Sequence, residues 1–403
     1  MGTSTFNEHD DVSGFWHRLF SNTLKISQGS YDDEELIKIK NAQGVINSPT
    51  LQNDNVNCAE FKPQGYYEQN EKMSNYFRAV QYLSMARPNG TQWSEIIKNQ
   101  EVMNALRNWV DSYRPFTSPS KDYLPGDIKK AISYVKHDSE GRPTLFPKSW
   151  GFDNELLNSV VYHPGWPKDE QVGKVLPNML EVSYIFGNDF SKKLLEKEGL
   201  LNQYPSLISI HADLIKRWKE FKNQGVHGIY DQWLCLISSQ VSAPKPEWPW
   251  LTQDLWETKQ ILTGLSSWTN LRNATVMVNA RSSAECGEGG FEGISLKPPR
   301  GAVEPNPSAF LALASVFGEI KNTFIQVSRK VSFGGSIQID YDSVPFEKGI
   351  LNTIDNTIKN LNSFALMAEK ELKKEPLTDD EYAAILSFGG AIEHDFLLFK
   401  SIM

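Results

Sequence analysis

An apolar residue returns every three or four positions from Phe346 to Leu372, by way of Ile350, Ile354, Ile358, Leu361, Ala365 and Ala368. Such spacing keeps one face apolar only on an α-helix, because a strand would send alternate members to opposite sides. Shorter stripes of the same kind are Met73, Tyr76, Phe77, Val80 and Leu83, and Leu207, His211, Leu214, Trp218 and Phe221. Boundary signals fall where the stripes begin and end. Asn306-Pro307 sets a cap and a first-turn proline ahead of Phe310, Leu313, Phe317, Ile320 and Phe324. Thr378 to Glu381 reads as a capping box, with Leu377 and Tyr382 placed as a hydrophobic staple. Asp189 opens and Gly199 closes another helix, and one more is predicted from Thr252 through Leu255, Leu262, Leu265, Trp268 and Leu271 to about Ala280.

Strand signals are sparse. Val331 to Tyr341 alternates around a Gly-Gly turn, and no βαβ alternation or fixed repeat appears. The expected fold is therefore mainly α, a compact multi-helix body with at most one small β-hairpin near residues 331–341. We expect one body over residues 1–403. The prolines at 244, 246 and 249 interrupt any helix there and give the alternative of two lobes, 1–245 and 246–403.

Composition narrows function mainly by exclusion. The 41 basic and 49 acidic residues leave a net charge of −8, so the surface repels phosphate backbones and nucleic acid is not an expected partner. No apolar run reaches the roughly 18 residues of a spanning helix. Three cysteines, Cys58, Cys235 and Cys286, are too few and too scattered for a disulfide framework or a metal knuckle. The seven histidines lack ligand spacing, and His211 lies on an apolar stripe, where a core histidine bonded to a neighbour is the expected reading. No cofactor is expected.

The stretch Gly287 to Gly293 is glycine-rich, yet Glu288 and Glu292 stand where a phosphate would lie, so it does not read as a nucleotide loop. With Glu285 these acids could share a hard cation such as Ca²⁺ through carboxylates and loop carbonyls; a solvated loop is the plainer reading. Cys286 has acidic neighbours that disfavour its thiolate, and no GxSxG elbow occurs. Trp166, Trp248 and Trp250 sit beside prolines in predicted loops, where indoles serve as anchors for a partner or for the loop itself. Binding is thus assigned to Trp166, Trp248, Trp250, Glu285, Glu288 and Glu292.

Several segments, taken in order, resemble a known family. Phe61 to Tyr67 and Tyr76 to Ala79 are similar to its FKPRGHYT and YFRAM, and Leu176 to Asn188 to its PSGLDVMAVLGS. Tyr230 to Leu234 is similar to YNSWLYAL, Ser267 to Arg272 to SWAELRHDT, Gly301 to Pro307 to GYVEPNP, and Leu377 to Gly390 to LTEEEY and YGGE. The family so resembled is number 3160 of the domains of unknown function, and the likeness runs through nearly the whole chain. Departures fall on ionisable positions. Gln64 and Tyr66 stand for Arg and His, Asn273-Ala274 for His-Asp, and Trp150 to Glu155 for QRFxPDS, while the family's N-terminal TDSLLH segment has no counterpart.

The resemblance implies a location outside the cytoplasm, periplasmic or extracellular, because members often look secreted or lipid-anchored; the chain's own start, which shows no signal peptide, keeps the cytoplasm as the alternative. Our expectation is a non-catalytic binding or structural component with a protein partner or assembly. The rival is a hydrolase of peptide or glycan, with Glu304, Arg272, Arg78 and Glu393 as its polar cluster.

Overall fold

The computed structural model describes residues 11–51, 53–86, 88–105, 151–161, 174–223, 225, 228–248, 251–275, 301–330 and 345–402. They fall into two compact units. The first holds the described residues up to 151 together with 270–275, and the second holds 152–269 and 301–402.

In the first unit, α1 (Asp11–Gln28) packs on α3 (Glu71–Met85) and α4 (Gly90–Lys98), and α2 (Glu34–Asn41) leads into a two-stranded antiparallel pair. Strand β1 (Val45–Ser48) faces β2 (Asn53–Asn57), with Ile46 opposite Val56 and a shift of register before Ser48. Both α3 and α4 start on asparagine caps: Asn70 accepts from Met73 N, and Asn89 forms a full box with Gln92. Aromatic rings fill the centre. Trp16 meets Phe15 edge-on, stacks on Phe20 and crosses Trp93 at 5.3 Å, while its indole N–H donates to the carbonyl of Gln92 at 2.9 Å.

A part-buried carboxylate-centred knot ties this unit's elements together. Glu35 of α2 accepts from the Tyr82 hydroxyl at 2.9 Å and from Ser48 at 2.7 Å, and Tyr82 in turn accepts from Asn22 of α1 at 3.1 Å. The strand pair was not legible in the sequence, since Asn-Asp-Asn-Val-Asn carries no apolar alternation. Its place is fixed by Ser48 together with the buried pair Ile46 and Val56, which join the unit's hydrophobic core.

In the second unit, α5 (Phe152–Ser159), α6 (Met179–Ile185) and α8 (Leu200–Gln203) pack on α9 (Ser206–Asn223), and α7 (Asp189–Lys197) packs on α6 and α8. The series continues with α10 (Gly228–Val241), α11 (Gln253–Thr275, whose residues from 270 on are counted with the first unit), α12 (Pro307–Lys330), α13 (Pro345–Leu372) and α14 (Asp379–Ile402). Helix α12 lies between α10 and α13. The mainly α class is the observed one, with β1 and β2 the only strands among the described residues. The hairpin expected near 331–341 lies outside those residues.

The long stripe behaves as its period requires: Ile350, Ile354, Leu361, Ala365 and Ala368 of α13 are all buried. The Thr378 box is formed in both directions, with Glu381 N donating to Thr378 Oγ1 at 3.2 Å and Thr378 N to Glu381 Oε2 at 2.7 Å. Leu377 and Tyr382 pack into one cluster with Val303, Phe364 and Met367. Asn306 caps α12 by accepting from Ala309 N at 3.1 Å. At α7 the cap is Asn188 rather than Asp189, and Gly199 turns the chain at a φ of +75°.

Helix α11 departs from expectation. Leu255 and Leu262 are each 62% exposed, and the buried side runs through Trp256, Gln260, Ile261, Gly264, Trp268 and Leu271. The cause is Gly264, where a Cβ would lie 2.2 Å from Val241 Cγ1. Without a side chain there, α11 can come up against α10, and that approach sets which face turns inward. Replacing Gly264 by Ala should therefore cost about 1–3 kcal/mol of stability through overpacking, measured as a shift of the urea midpoint at unchanged helix content.

Candidate functional site

The buried polar groups of the second unit are built from the segments that carry the sequence motifs. Asp153, in the first turn of α5, is fully buried, and its Oδ2 accepts from the Tyr230 hydroxyl of α10 at 2.8 Å and the Trp268 indole of α11 at 2.9 Å. A second link between the same two helices joins Trp233 Nε1 to Ser267 Oγ at 3.0 Å. One carboxylate thus joins α5 at Asp153, α10 at Tyr230 and α11 at Trp268. Two neutral donors on one oxygen orient helices; they do not present that oxygen to a substrate. Sequence reasoning passed over Asp153, reading its stretch as one that had lost ionisable groups.

A buried ion pair organises α6 and α9. Glu181 is wholly buried and receives Lys174 Nζ at 2.6 Å and Asn178 N at 2.8 Å on Oε2, and His211 Nε2 at 2.9 Å on Oε1. The same Glu181 is the third-position residue of the capping box that starts α6 at Asn178. Lys174 spends a further hydrogen on the carbonyl of Val160 at 2.8 Å. Tyr184 meets the His211 ring edge-on at 5.6 Å. His211 is therefore a core histidine bonded to a neighbour, as its apolar stripe indicates. Neutralising the carboxylate with Glu181→Gln leaves Lys174 buried without a counter-charge; the expected loss is about 3–5 kcal/mol, read from chemical denaturation.

Residues 301–306 form a strap across four helices. Glu304 is paired with Lys259 of α11 and accepts from Gln260 Nε2 at 3.0 Å. Lys259 also lies 5.1 Å from the centre of the Trp256 ring. Val303 N donates to Glu371 of α13 at 3.1 Å, and Asn306, besides capping α12, donates to the carbonyl of Ser239 in α10 at 3.0 Å. Glycine at 301 is required by closeness, since a Cβ there would stand 2.6 Å from Ile385 Cγ2.

Burial raises the Glu371 carboxyl above its usual range; the Val303 N–H pulls the other way, and the nearby Glu304 charge adds to the rise. Its Oε2 is buried with no hydrogen-bond partner. Because the folded pKa lies above the unfolded one, the folded chain holds the extra proton between those two values, so stability grows as pH falls through that window and shrinks as it rises. Glu371→Gln, which keeps an acceptor for Val303, should raise the melting temperature at pH 8, with the gain fading on approach to pH 4.

Where they are described, the residues nominated from sequence stand on different elements. Trp166, Trp250, Glu285, Glu288 and Glu292 lie outside the described residues. Trp248 is half-buried, and its carbonyl accepts from Leu251 N at 3.1 Å. Arg78 stands on α3 against Asn75, Arg272 is part-buried near the end of α11, and Glu393 is exposed on α14. Glu304, the most plausible acid of that set, is already taken by Lys259. Two thiols can be placed: burial pushes Cys58 up and Cys235 to about 11, so neither is a thiolate at neutral pH. Among the described residues no three His, Cys, Asp or Glu gather to hold a metal ion, and no helix is long and apolar enough to cross a membrane.

These bracing residues, from Asp153 to Asn306, sit on segments spread across a helical fold of one lineage. The chain belongs to the family described as protein of unknown function (DUF3160), whose model matches residues 21–106 and 85–402. No curated protein and no solved structure matches it.

Proposed function

We propose that this protein is a non-catalytic binding or structural component of an exported or cell-surface assembly. One observation supports the reading above others: the motif carboxylates are committed to holding helices. Asp153 and Glu181 are wholly buried, each receiving hydrogen bonds from at least two other segments, and Glu304 is closed by a lysine. A general acid or base must reach the proton it moves on a substrate. Asp153 and Glu181, with no exposure, cannot.

On this reading, contact with a protein partner runs through the loop indoles Trp166, Trp248 and Trp250 and the acidic loop 285–304, and the location is periplasmic or extracellular. The test has two arms. Changing the three tryptophans to alanine should abolish co-purification of the partner from the native host while leaving the melting temperature in place. In parallel, peptide and glycan substrates should show no turnover; hydrolysis that disappears in Glu304→Gln would instead establish the hydrolase.

A further inference from the structure

Helix α14 holds to the body by one side and shows water an ordered stripe on another. Tyr382, Ala384 and Ile385 join the cluster around Phe364, and the Phe388 ring meets Phe364 edge-on at 4.8 Å. Away from that side, Ala383, Leu386, Gly390, Glu393 and Leu397 recur at alternating steps of three and four residues. All five are exposed, Leu386 at 73% and Leu397 at 55%. Such spacing is the seam of a coiled coil, along which one helix receives another of the same period.

The stripe carries both halves of a fit. Leu386 stands out as a knob, and one turn further on Gly390 leaves a hole, with nothing among the described residues within 4 Å of where its Cβ would be. In an antiparallel pair of identical helices, the layers of a coiled coil set each Leu386 against Gly390 of the other copy, twice by symmetry. Charges fall into place in the same register. Glu393, the one acid of the five, faces Ala383 rather than another acid, and the exposed Asp380 comes alongside the exposed His394 of the other copy. A foreign helix would have to bring a knob and a hole at this separation, whereas a second copy has them by construction.

We propose that α14 is a self-association surface, on which two copies of this chain pair their helices antiparallel through the stripe from Ala383 to Leu397. The missing side chains at Gly389 and Gly390 let the two axes come close at the centre of the contact. A lipid surface is a poorer occupant, because Glu393 sets a charge in the middle of the face that would have to sink into it. The inference stands apart from the contact through the loop tryptophans, since α14 holds none of those residues.

The test is the mass of the full chain over a concentration series, measured by sedimentation equilibrium. A monomer–dimer equilibrium is expected. Leu386→Glu should raise its dissociation constant by about tenfold or more, while Leu311→Glu, at an exposed leucine of α12, should leave it unchanged. Gly390→Leu separates the fit from general apolar adhesion: filling the hole should weaken the dimer by a similar factor, although it adds apolar surface and favours the helix. Helix content and melting temperature are read on every variant and should hold, since each position is exposed. A single-chain mass at every concentration overturns the proposal. So does a dimer untouched by Leu386→Glu or tightened by Gly390→Leu, and so does a monomer that binds phosphatidylcholine vesicles through Leu386, which assigns the stripe to lipid.

Discussion

A carboxylate with no exposure to water has to be answered by donors, and Glu181 shows how much structure that requirement fixes. Taking its charge out of water costs several kcal/mol unless the geometry of its partners is good. Lys174, His211 and the α6 cap supply that geometry from three different stretches of chain. Moving any of them strands the others. Apolar burial by itself tolerates sliding between helices, whereas a short directional bond to a buried charge does not, so position along α6 and α9 is specified here and not by the stripes.

Asp153, equally without exposure, and the part-buried Glu35 are held by neutral donors. Each sits where three elements meet, and each takes two hydrogen bonds on a single oxygen. Helices packed only through leucine and alanine would be interchangeable among several arrangements, and these polar nodes select one. The same logic gives family-like segments far apart in the sequence a shared polar contact, as at Asp153, Tyr230 and Trp268.

Legibility followed the range of the interaction. The stripe on α13, the Thr378 box and the Asn306 cap depend on residues within a turn or two of each other, and they can be read directly. The orientation of α11 could not be, because Gly264 acts by what it lacks, and its contact with Val241 joins positions that sequence period does not relate. Asp153 escaped notice for a similar reason: its meaning lies in Tyr230 and Trp268, 77 and 115 residues away. The short strands escaped because Asn53 to Asn57 has a single apolar residue, Val56, whose burial opposite Ile46 no local alternation announces. His211 was legible as a core residue from its stripe, but nothing local pointed to Glu181 as its partner.

The strap at 301–306 draws its bonds from residues 44 to 68 positions distant, on helices that must already stand together for those bonds to close. Contacts that close only on helices already assembled are expected to form after the rate-limiting step of folding and to add little to its speed. Contacts absent from the transition state act on the reverse reaction. The Val-Glu-Pro-Asn strap is in that sense a clasp on the finished helical array, governing how long the molecule stays assembled more than how quickly it gets there.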